Sequence, residues 1–380
     1  MDINEAREKL NQIDDQIVPL FVERMKTVLD IAQYKKDHGL TVLDRSRETD
    51  ILNRVTAASG EEFAGYTRIL FNTLFDLSRS YQSQFMHRDS ALQKQVQSAL
   101  QNTPAQMPAQ AVVACQGVEG AYSQAACEKL FGLPSIMYFK TFEAVFNAVD
   151  KGMCRYGILP IENSSAGSVN QVYDLMKKFR FSIVRGVKLR INHTLLAKKG
   201  VQLEGIKEIY SHEQGLNQCS EFLRANPQIK ANVCENTAVA AKLVAQSDRT
   251  DIAAISSREC AELYGLQILS DHIQNSDNNY TRFICISRSL EIYPGADKMS
   301  LMFSLPHRPG TLYSVITKFA TLGLNLTKLE SRPIPGKDFE FMFYFDASVS
   351  AHSEELLKLL AELEGTLEQF SFLGCYAEIF

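Results

Sequence analysis

The stretch YGILPIENSSAGSV, Tyr156 to Val169, decides how this chain reads. Tyr156 to Leu159 is an apolar run with the length of a buried strand, and beyond it the chain turns strongly polar. At the strand's exit stand a carboxylate (Glu162), an amide (Asn163) and three hydroxyls (Ser164, Ser165, Ser168) around Gly167. From there Val169, Val172, Leu175, Met176 and Phe179 recur at helical spacing, so the loop is expected to open a helix at Ser168. Backbone N–H groups at such a start lack intrahelical partners and favour an anion. A polar turn with a serine N-cap is the competing explanation of the segment taken alone.

Outward from this loop, strands and helices alternate. Strands are expected at Ala111 to Cys115, Ile136 to Phe139, Tyr156 to Ile161, Ile206 to Tyr210, Ile229 to Val233 and Ile252 to Ile255, with an extended run from Ile183 to Ala197. Helices fall between them, at 214–224 and 237–246 among others. That order predicts parallel α/β architecture with active groups beyond the C-terminal ends of strands. Three further strand exits are polar: Ser211-His212-Glu213-Gln214 through Gln218, Glu235-Asn236-Thr237, and Asn279-Tyr280-Thr281-Arg282-Phe283. The last comes after an excursion into a second lobe, and a chain that leaves one lobe and returns makes a cleft at the crossing. The segment GVEGAYS, Gly117 to Ser123, is a Gly-x-x-Gly turn without the dinucleotide fingerprint, so no nicotinamide cofactor is expected.

The first 86 residues read as all helix. Ile3, Leu10, Ile13, Ile17, Leu20, Phe21, Val28 and Ile31 mark one helix to about Lys36, roughly 50 Å long, which Pro19 should kink near Asp15. A second helix starts at Asp44 and a third runs from about Glu62 to Met86. Two shorter helices cannot cover a 50 Å stripe, so the long one is expected to pair with a copy of itself. Arg24 and Lys35 fall within about 20° of each other on one face, Arg24 in the register of Phe21 and Val28. Buried cations need partners: either Asp44 and Glu48 across the bundle, or a small dianion held by Arg24, Lys35 and Arg47, with Ser78 and Gln82 completing a polar lining.

Composition bounds the rest. A chain of 380 residues, 45% hydrophobic and 22% charged, is a globular protein of two or three domains. A net charge of −4 gives no reason to expect nucleic acid or an anionic membrane as partner. No run approaches the ~18 apolar residues of a membrane span, and the charged start MDINEAREKL has no signal region. Eight cysteines without paired spacing and seven histidines without ligand spacing exclude a disulfide framework and predict no metal site. The cytoplasm is the expected compartment. Asp89 to Gln110, rich in Gln and Ala with Pro104 and Pro108, reads as a linker.

Arg7, Arg24, Lys35, Asp44, Arg47, Glu48, Ser78 and Gln82 occur in the order and spacing of the all-helical chorismate mutases, and residues 1–88 resemble that family. The resemblance implies that Arg7, Arg24 and Arg47 clamp the carboxylates of chorismate, that Lys35 and Gln82 donate to its ether oxygen, and that Glu48 accepts from the ring hydroxyl. Asp44 and Ser78 would orient their neighbours. Arg7 lies roughly 42 Å from Lys35 along a straight helix, so Arg7 must come from a second subunit of an intertwined dimer.

Residues 111–286 resemble prephenate dehydratases through PIENSSAGSV, Thr281-Arg282-Phe283 preceded by Asn279, the Ser211-His212 cluster and the Gly117 to Ser123 opening. The resemblance implies a two-lobed, periplasmic-binding-protein-like fold with prephenate between the lobes. Thr281 would polarise or protonate the departing hydroxyl, Arg282 would pair with a substrate carboxylate, and Glu162, Asn163, Ser211, Gln218 and Phe283 would shape the pocket. Glu162 is a rival acid if burial raises its pKa. Glu162 and Thr281 are expected on opposite walls of one crevice.

Residues 297–380 order as βαββαβ, a ferredoxin-like pattern, with nothing catalytic in view. They resemble an ACT domain of the dehydratase type. Glu330-Ser331-Arg332-Pro333 matches that family's motif, and Gly310-Thr311-Leu312-Tyr313 matches in part, departing at Thr311 and Tyr313. The implied effector is L-phenylalanine, bound at a subunit interface. The expectation is therefore a bifunctional chorismate mutase–prephenate dehydratase without cofactor, a homodimer or higher oligomer. The competing readings are a dehydratase whose helices are only a dimerisation arm, and a non-catalytic amino-acid sensor.

Overall fold

A computed structural model describes residues 2–86, 90–308, 310–334, 336, 340–367 and 369–380, the side chain of Gln84 aside. The chain divides into two units, Met1–Ser98 with Leu301–Phe372 and Ala99–Ser300 with Leu373–Phe380.

The first unit opens with the long helix α1 (Ile3–Asp37), capped by a reciprocal Asp2–Glu5 box and unbroken through Pro19. Helices α2 (Arg45–Ala58) and α3 (Gly60–Met86) come next. Only Val28 and Ala32 of α1 are buried; Leu10, Ile17 and Leu20 are more than half exposed. The stripe read from the sequence is thus largely uncovered within one chain. A fourth helix, α4 (Ala91–Asn102), replaces most of the expected linker. Ser90 and Gln93 cap it reciprocally, the Gln93 N–H donating to Ser90 Oγ (3.0 Å) and the Ser90 N–H to Gln93 Oε1 (3.2 Å). Val96 and Ala99, one turn apart, are buried. Gln and Ala are good helix formers, so compositional bias alone misreads this segment.

A four-stranded sheet runs in the order Asn325–Pro333, Phe341–Ser348, Lys298–Leu305, Ser371–Tyr376, the first two strands lying wholly in this unit. With the helices Thr311–Thr321 and Glu354–Thr366 this is the expected ferredoxin-like topology. Phe303 and Phe345 meet edge to face at 4.9 Å, and Phe319 lies 5.7 Å from Phe345. Pro309, beside the partly matched motif, and part of the expected Pro-Gly turn lie outside the described residues. The sheet's helices pack on α3, where the buried Glu362 accepts from Ser80 Oγ (2.8 Å) and pairs with Lys318.

The second unit contains two sheets. The first runs Glu378–Ile379, Ser182–Arg190, Tyr280–Ser287, Tyr156–Asn163, Gln110–Gln116, Leu133–Phe139; the second runs Gln267–Ser270, Thr194–Ala197, Ile252–Ser256, Glu208–Ser211, Lys230–Val233. Both are mixed, which corrects the expectation of all-parallel sheets. The returning strand Tyr280–Ser287 runs antiparallel to both neighbours because the chain re-enters the first lobe from the far end. The extended run expected at 183–197 is two strands in different sheets, separated at the crossing. Ser168 does not cap a helix: Gly167–Ser168 folds back as a short strand on Glu162 and Asn163, and the helix begins at Asn170. The expected last strand, 374–379, also divides. Its first part closes the ferredoxin-like sheet, and Glu378–Ile379 joins the first sheet of the second unit. No helix among the described residues is long and apolar enough to cross a membrane.

Candidate active sites

Asn163 is the centre of the cleft between the two sheets. Its Oδ1 accepts from the backbone N–H of Ser165 (3.0 Å) and Ala166 (2.9 Å), which fixes the amide's orientation because a backbone N–H can only donate. Its Nδ2 therefore donates to Asn279 Oδ1 (2.9 Å) and to Thr281 Oγ1 (2.9 Å). Thr281 sits directly opposite Asn163 on the neighbouring strand. With its oxygen accepting from Asn163, its own proton is left to be donated into the cleft.

The facing lobe supplies Gln214 and Gln218, which donate to Asn163 Oδ1 at 3.2 and 3.5 Å. Gln218 Oε1 accepts from Asn279 Nδ2 (3.0 Å) and meets His193 Nε2 at 2.8 Å. An acceptor there requires the proton on Nε2, leaving Nδ1 bare, and Nδ1 is buried without a partner among the described residues. Burial pulls the His193 pKa below its ordinary value against the pull of Gln218, so the ring is held neutral. A cavity of about 390 Å³ opens here, lined by Ser165, Gln214, Gln218, Gln274, Asn275 and Asn279 among others, all uncharged.

The strand geometry corrects several expectations. Successive side chains of a strand point to opposite faces, so Glu162 and Arg282 lie behind the face that carries Asn163 and Thr281. Glu162 and Thr281 are on adjacent paired strands of one sheet, not on opposite walls; the facing wall is the helix Glu213–Gln218. Arg282 is 5% exposed and bonded to Glu378 (2.5 Å) and Tyr376 (2.6 Å), so it is not offered to a substrate carboxylate. Glu162 lies 3.7 Å from it. Ser211 is fully buried and donates to the Ile255 carbonyl (2.8 Å), so it supports the facing helix from beneath and does not line the cavity. Phe283 is core, packed with Tyr156 and Ile158. Gln214 and Asn279 stood in polar clusters of the sequence without a role of their own, and His193 carried no signal there. Asn279, two residues before Thr281 and so on the same face, is the one that strand periodicity could have found.

In the helical module α3 brings Ser78 to Arg24, whose Nη1 donates to Ser78 Oγ (2.5 Å) and Leu74 O (3.4 Å). Burial lowers the Arg24 pKa. Lys35 donates to the Val42 carbonyl (2.5 Å), and Asp44 caps α2 by accepting from the Arg47 N–H (3.0 Å). Among the described residues, the ion pairs considered for Arg24 and Lys35 with Asp44 and Glu48 do not form. Glu48 pairs instead with Arg79, which also holds Asp76; the Asp76-x-x-Arg79 spacing was the signal for it. Gln82 is 7% exposed, and its Oε1 has no partner among the described residues. Arg7 and Arg47 are exposed.

In the ferredoxin-like module Gly310 starts its helix with φ +88°, and Thr311 Oγ1 donates to the Pro306 and Arg308 carbonyls, each at 3.0 Å. Leu312 lines a cavity of about 490 Å³ with Phe341 and Phe343. Glu330, Ser331, Arg332 and Pro333 lie on the edge strand, where Lys328 pairs with Glu330 at 3.3 Å.

A two-lobed α/β unit with an amide-lined cleft and a helical module with an Arg24–Ser78 centre define a two-domain enzyme class, and the comparisons agree. The family described as prephenate dehydratase matches residues 113–291, and chorismate mutase type II matches residues 6–83. The chain is 32% identical to the bifunctional chorismate mutase/prephenate dehydratase of Escherichia coli (strain K12), over 97% of this chain and 95% of that protein. It is therefore a member of the bifunctional chorismate mutase/prephenate dehydratase family. Among solved structures, the prephenate dehydratase of Arthrobacter aurescens in complex with L-Phe is 29% identical, with a TM-score of 0.64 over 70% of this chain and 89% of that one. A protein described as a quorum-quenching acylase is 30% identical, with a TM-score of 0.63 over 70% of this chain and 97% of that one.

Proposed function

We propose that the chain rearranges chorismate to prephenate in its helical module and converts prephenate to phenylpyruvate in the two-lobed cleft, in the service of phenylalanine synthesis. The observation that carries the dehydratase half is the polarity of the Asn163–Thr281 bond. The backbone N–H groups of Ser165 and Ala166 force Asn163 to donate to Thr281, and Thr281 must then donate outward. A neutral hydroxyl is a weak acid, so its part is to deliver a hydrogen bond to the departing ring hydroxyl. The carbon–carboxylate bond breaks, its electron pair enters the ring, the C–O bond opposite breaks, and the ring becomes aromatic as CO2 and hydroxide leave, the hydroxide taking a proton from solvent to become water. Gln214, Gln218 and Asn279 hold the substrate by neutral donors, while both N–H bonds of Asn163 are spent on Asn279 and Thr281.

The mutase step needs no proton transfer. Arg24, Arg47 and the partner copy's counterpart of Arg7 would hold the carboxylates, and Lys35 and Gln82 the ether oxygen. The exposed face of α1 fits a second copy of the chain. The ferredoxin-like module is read as an ACT domain that binds L-phenylalanine at Gly310, Thr311, Leu312 and Glu330 to Pro333. A strand at a sheet's edge is a template for pairing with another chain, which suits a subunit contact, and the apolar cavity suits an aromatic side chain. Eight free cysteines fit a reducing, cytoplasmic setting. The test is to incubate purified protein with chorismate, with and without phenylalanine, and measure prephenate and phenylpyruvate. A Thr281→Ala variant with undiminished dehydratase turnover removes Thr281 from the chemistry.

A further inference from the structure

Arg282 is adjacent to Thr281 in sequence and faces away from it, into a buried cluster of charges. Its side chain is 6% exposed and that of Glu378 is 8% exposed. Arg282 Nε donates to Glu378 Oε1 (2.5 Å) and Nη2 to the Tyr376 hydroxyl (2.6 Å), which in turn meets Ser300 Oγ at 2.6 Å. Lys298 reaches both oxygens of Glu378 at 3.3 Å, and Lys188 reaches one at 3.0 Å. Burial opposes the Glu378 charge, but Arg282, Lys298 and Lys188 outweigh it and hold its carboxyl below the ordinary range.

The backbone is shaped to admit this tail. Glu378 and Ile379 pair in parallel with Gly186 and Val187. A Cβ on Gly186 would lie 3.2 Å from Glu378 Cγ, and one on Gly374, at φ +138°, would lie 2.3 Å from the Ile183 carbonyl oxygen. The second crossing admits no side chain at all, and the first only if Glu378 gives way. The ladder between Tyr280–Ser287 and Tyr156–Asn163 shifts register between Arg282 and Phe283. The extra residue is Ile161 of the neighbouring strand, between Pro160 and Glu162, and the ladder is loosened beside it, so the direction of Thr281 depends on what holds Arg282.

We propose that Glu378 and Tyr376 are positioning residues of the dehydratase: by anchoring the Arg282 guanidinium behind the sheet they fix its strand where it meets the bulge and aim the Thr281 hydroxyl into the cleft. This rests on the dehydratase reading of the cleft. A misplacement of about 1 Å can cost roughly 100-fold in rate, so modest loosening is measurable.

The test compares Glu378→Gln, which keeps the shape and removes the charge, with Glu378→Asp, which keeps the charge. Mutase turnover on the same chain serves as the internal measure of folded enzyme. Dehydratase kcat is expected to fall about 10-fold in Glu378→Gln with KM within two-fold of wild type and mutase rate unchanged, and Glu378→Asp should fall between. That order should hold even where the melting temperatures rank otherwise, since a neutral replacement in a buried ion cluster can raise stability. Wild-type dehydratase kcat in a folded Glu378→Gln overturns the proposal, as does a change confined to KM. If Glu378→Gln does not accumulate as folded protein, Tyr376→Phe removes a single hydroxyl; a several-fold loss in kcat supports the anchor and an unchanged kcat ends it. A wild type that forms no phenylpyruvate from prephenate overturns the reaction assignment itself, and the anchor with it.

Discussion

Asn163→Asp is the sharpest perturbation of the cleft, because it exchanges one NH2 for one oxygen and changes almost nothing else. In the wild type Nδ2 lies 2.9 Å from both Asn279 Oδ1 and Thr281 Oγ1, and 3.3 Å from the Tyr280 carbonyl. A carboxylate oxygen there confronts two acceptors and turns Thr281 around, so that its hydroxyl donates to the new carboxylate and no longer to the substrate. Losing one preorganised donor at a site of developing charge costs about 2.7–4 kcal/mol, or roughly 100- to 1,000-fold in kcat. Leaving buried acceptors unpaired adds about 1–3 kcal/mol against stability. The remedy is a proton: once protonated, the introduced carboxyl can donate to Thr281 again, and facing acceptors in a buried site raise its pKa. Dehydratase kcat of the variant should therefore climb as pH falls from neutral, opposite to a loss of general fold. The assay is phenylpyruvate formation across pH with mutase turnover as control. A folded variant with kcat within a few-fold of wild type at neutral pH, or a profile that does not rise toward acid, refutes the polarity argument.

The same logic applies to the helical module, where Gln82→Glu should lower the mutase rate at neutral pH and recover it in acid, since only the protonated carboxyl donates; a rate flat from neutral to acidic pH contradicts a donor role for Gln82. In the first unit, Lys318→Met strands Glu362, which is fully buried, and should cost about 3–5 kcal/mol, visible as a lower melting temperature that Glu362→Leu in the same chain largely restores. An undisturbed transition in the single variant shows the pair to be unimportant. Acidification should weaken the second unit through His193. Its folded pKa lies below the ordinary value of about 6.5, so the unfolded chain binds the extra proton first. Stability falls as pH drops below about 6.5 and levels off once the folded value is passed. His193→Gln should flatten that limb in a denaturant midpoint measured against pH, and an unchanged limb assigns it elsewhere.

Much of this was legible because periodicity and composition are local properties. The 35-residue α1, the strand Tyr156–Asn163 and the ferredoxin-like order all come from spacing alone. The misreadings were matters of register. Thr281 and Arg282 read as one functional triplet with Phe283, yet alternation along a strand sends the first into the cleft and the second behind it. The rule that separates them was available; the partner that occupies Arg282 was not, since Glu378 acquires its meaning only when the last residues pair with Gly186 and Val187. Ser211 shows the same limit from the other side: a serine at a strand exit reads as a ligand, and only the packing of Gly215 above it, where a Cβ would lie 2.7 Å from its Oγ, reveals a support. The helix at Ala91–Asn102 is missed when the segment is read by composition and the Ser90–Gln93 spacing that caps it is not considered.

Placing the guanidinium behind the strand also suits the chemistry assigned to the cleft. The carboxylate that departs is anionic in the bound substrate and becomes neutral CO2 as the bond breaks. A cation beside it would stabilise the starting state more than the transition state and so slow the step, because only interactions that strengthen toward the transition state accelerate it. Charge develops instead on the leaving hydroxyl, and a donor aimed there gains strength as the C–O bond opens. A lining of amides and hydroxyls around about 390 Å³, with Thr281 as the outward donor, meets both requirements. The positive charge is still near enough to matter, but it acts through the backbone it anchors: Arg282 bonded to Glu378 holds the strand on which its neighbour Thr281 faces the reaction.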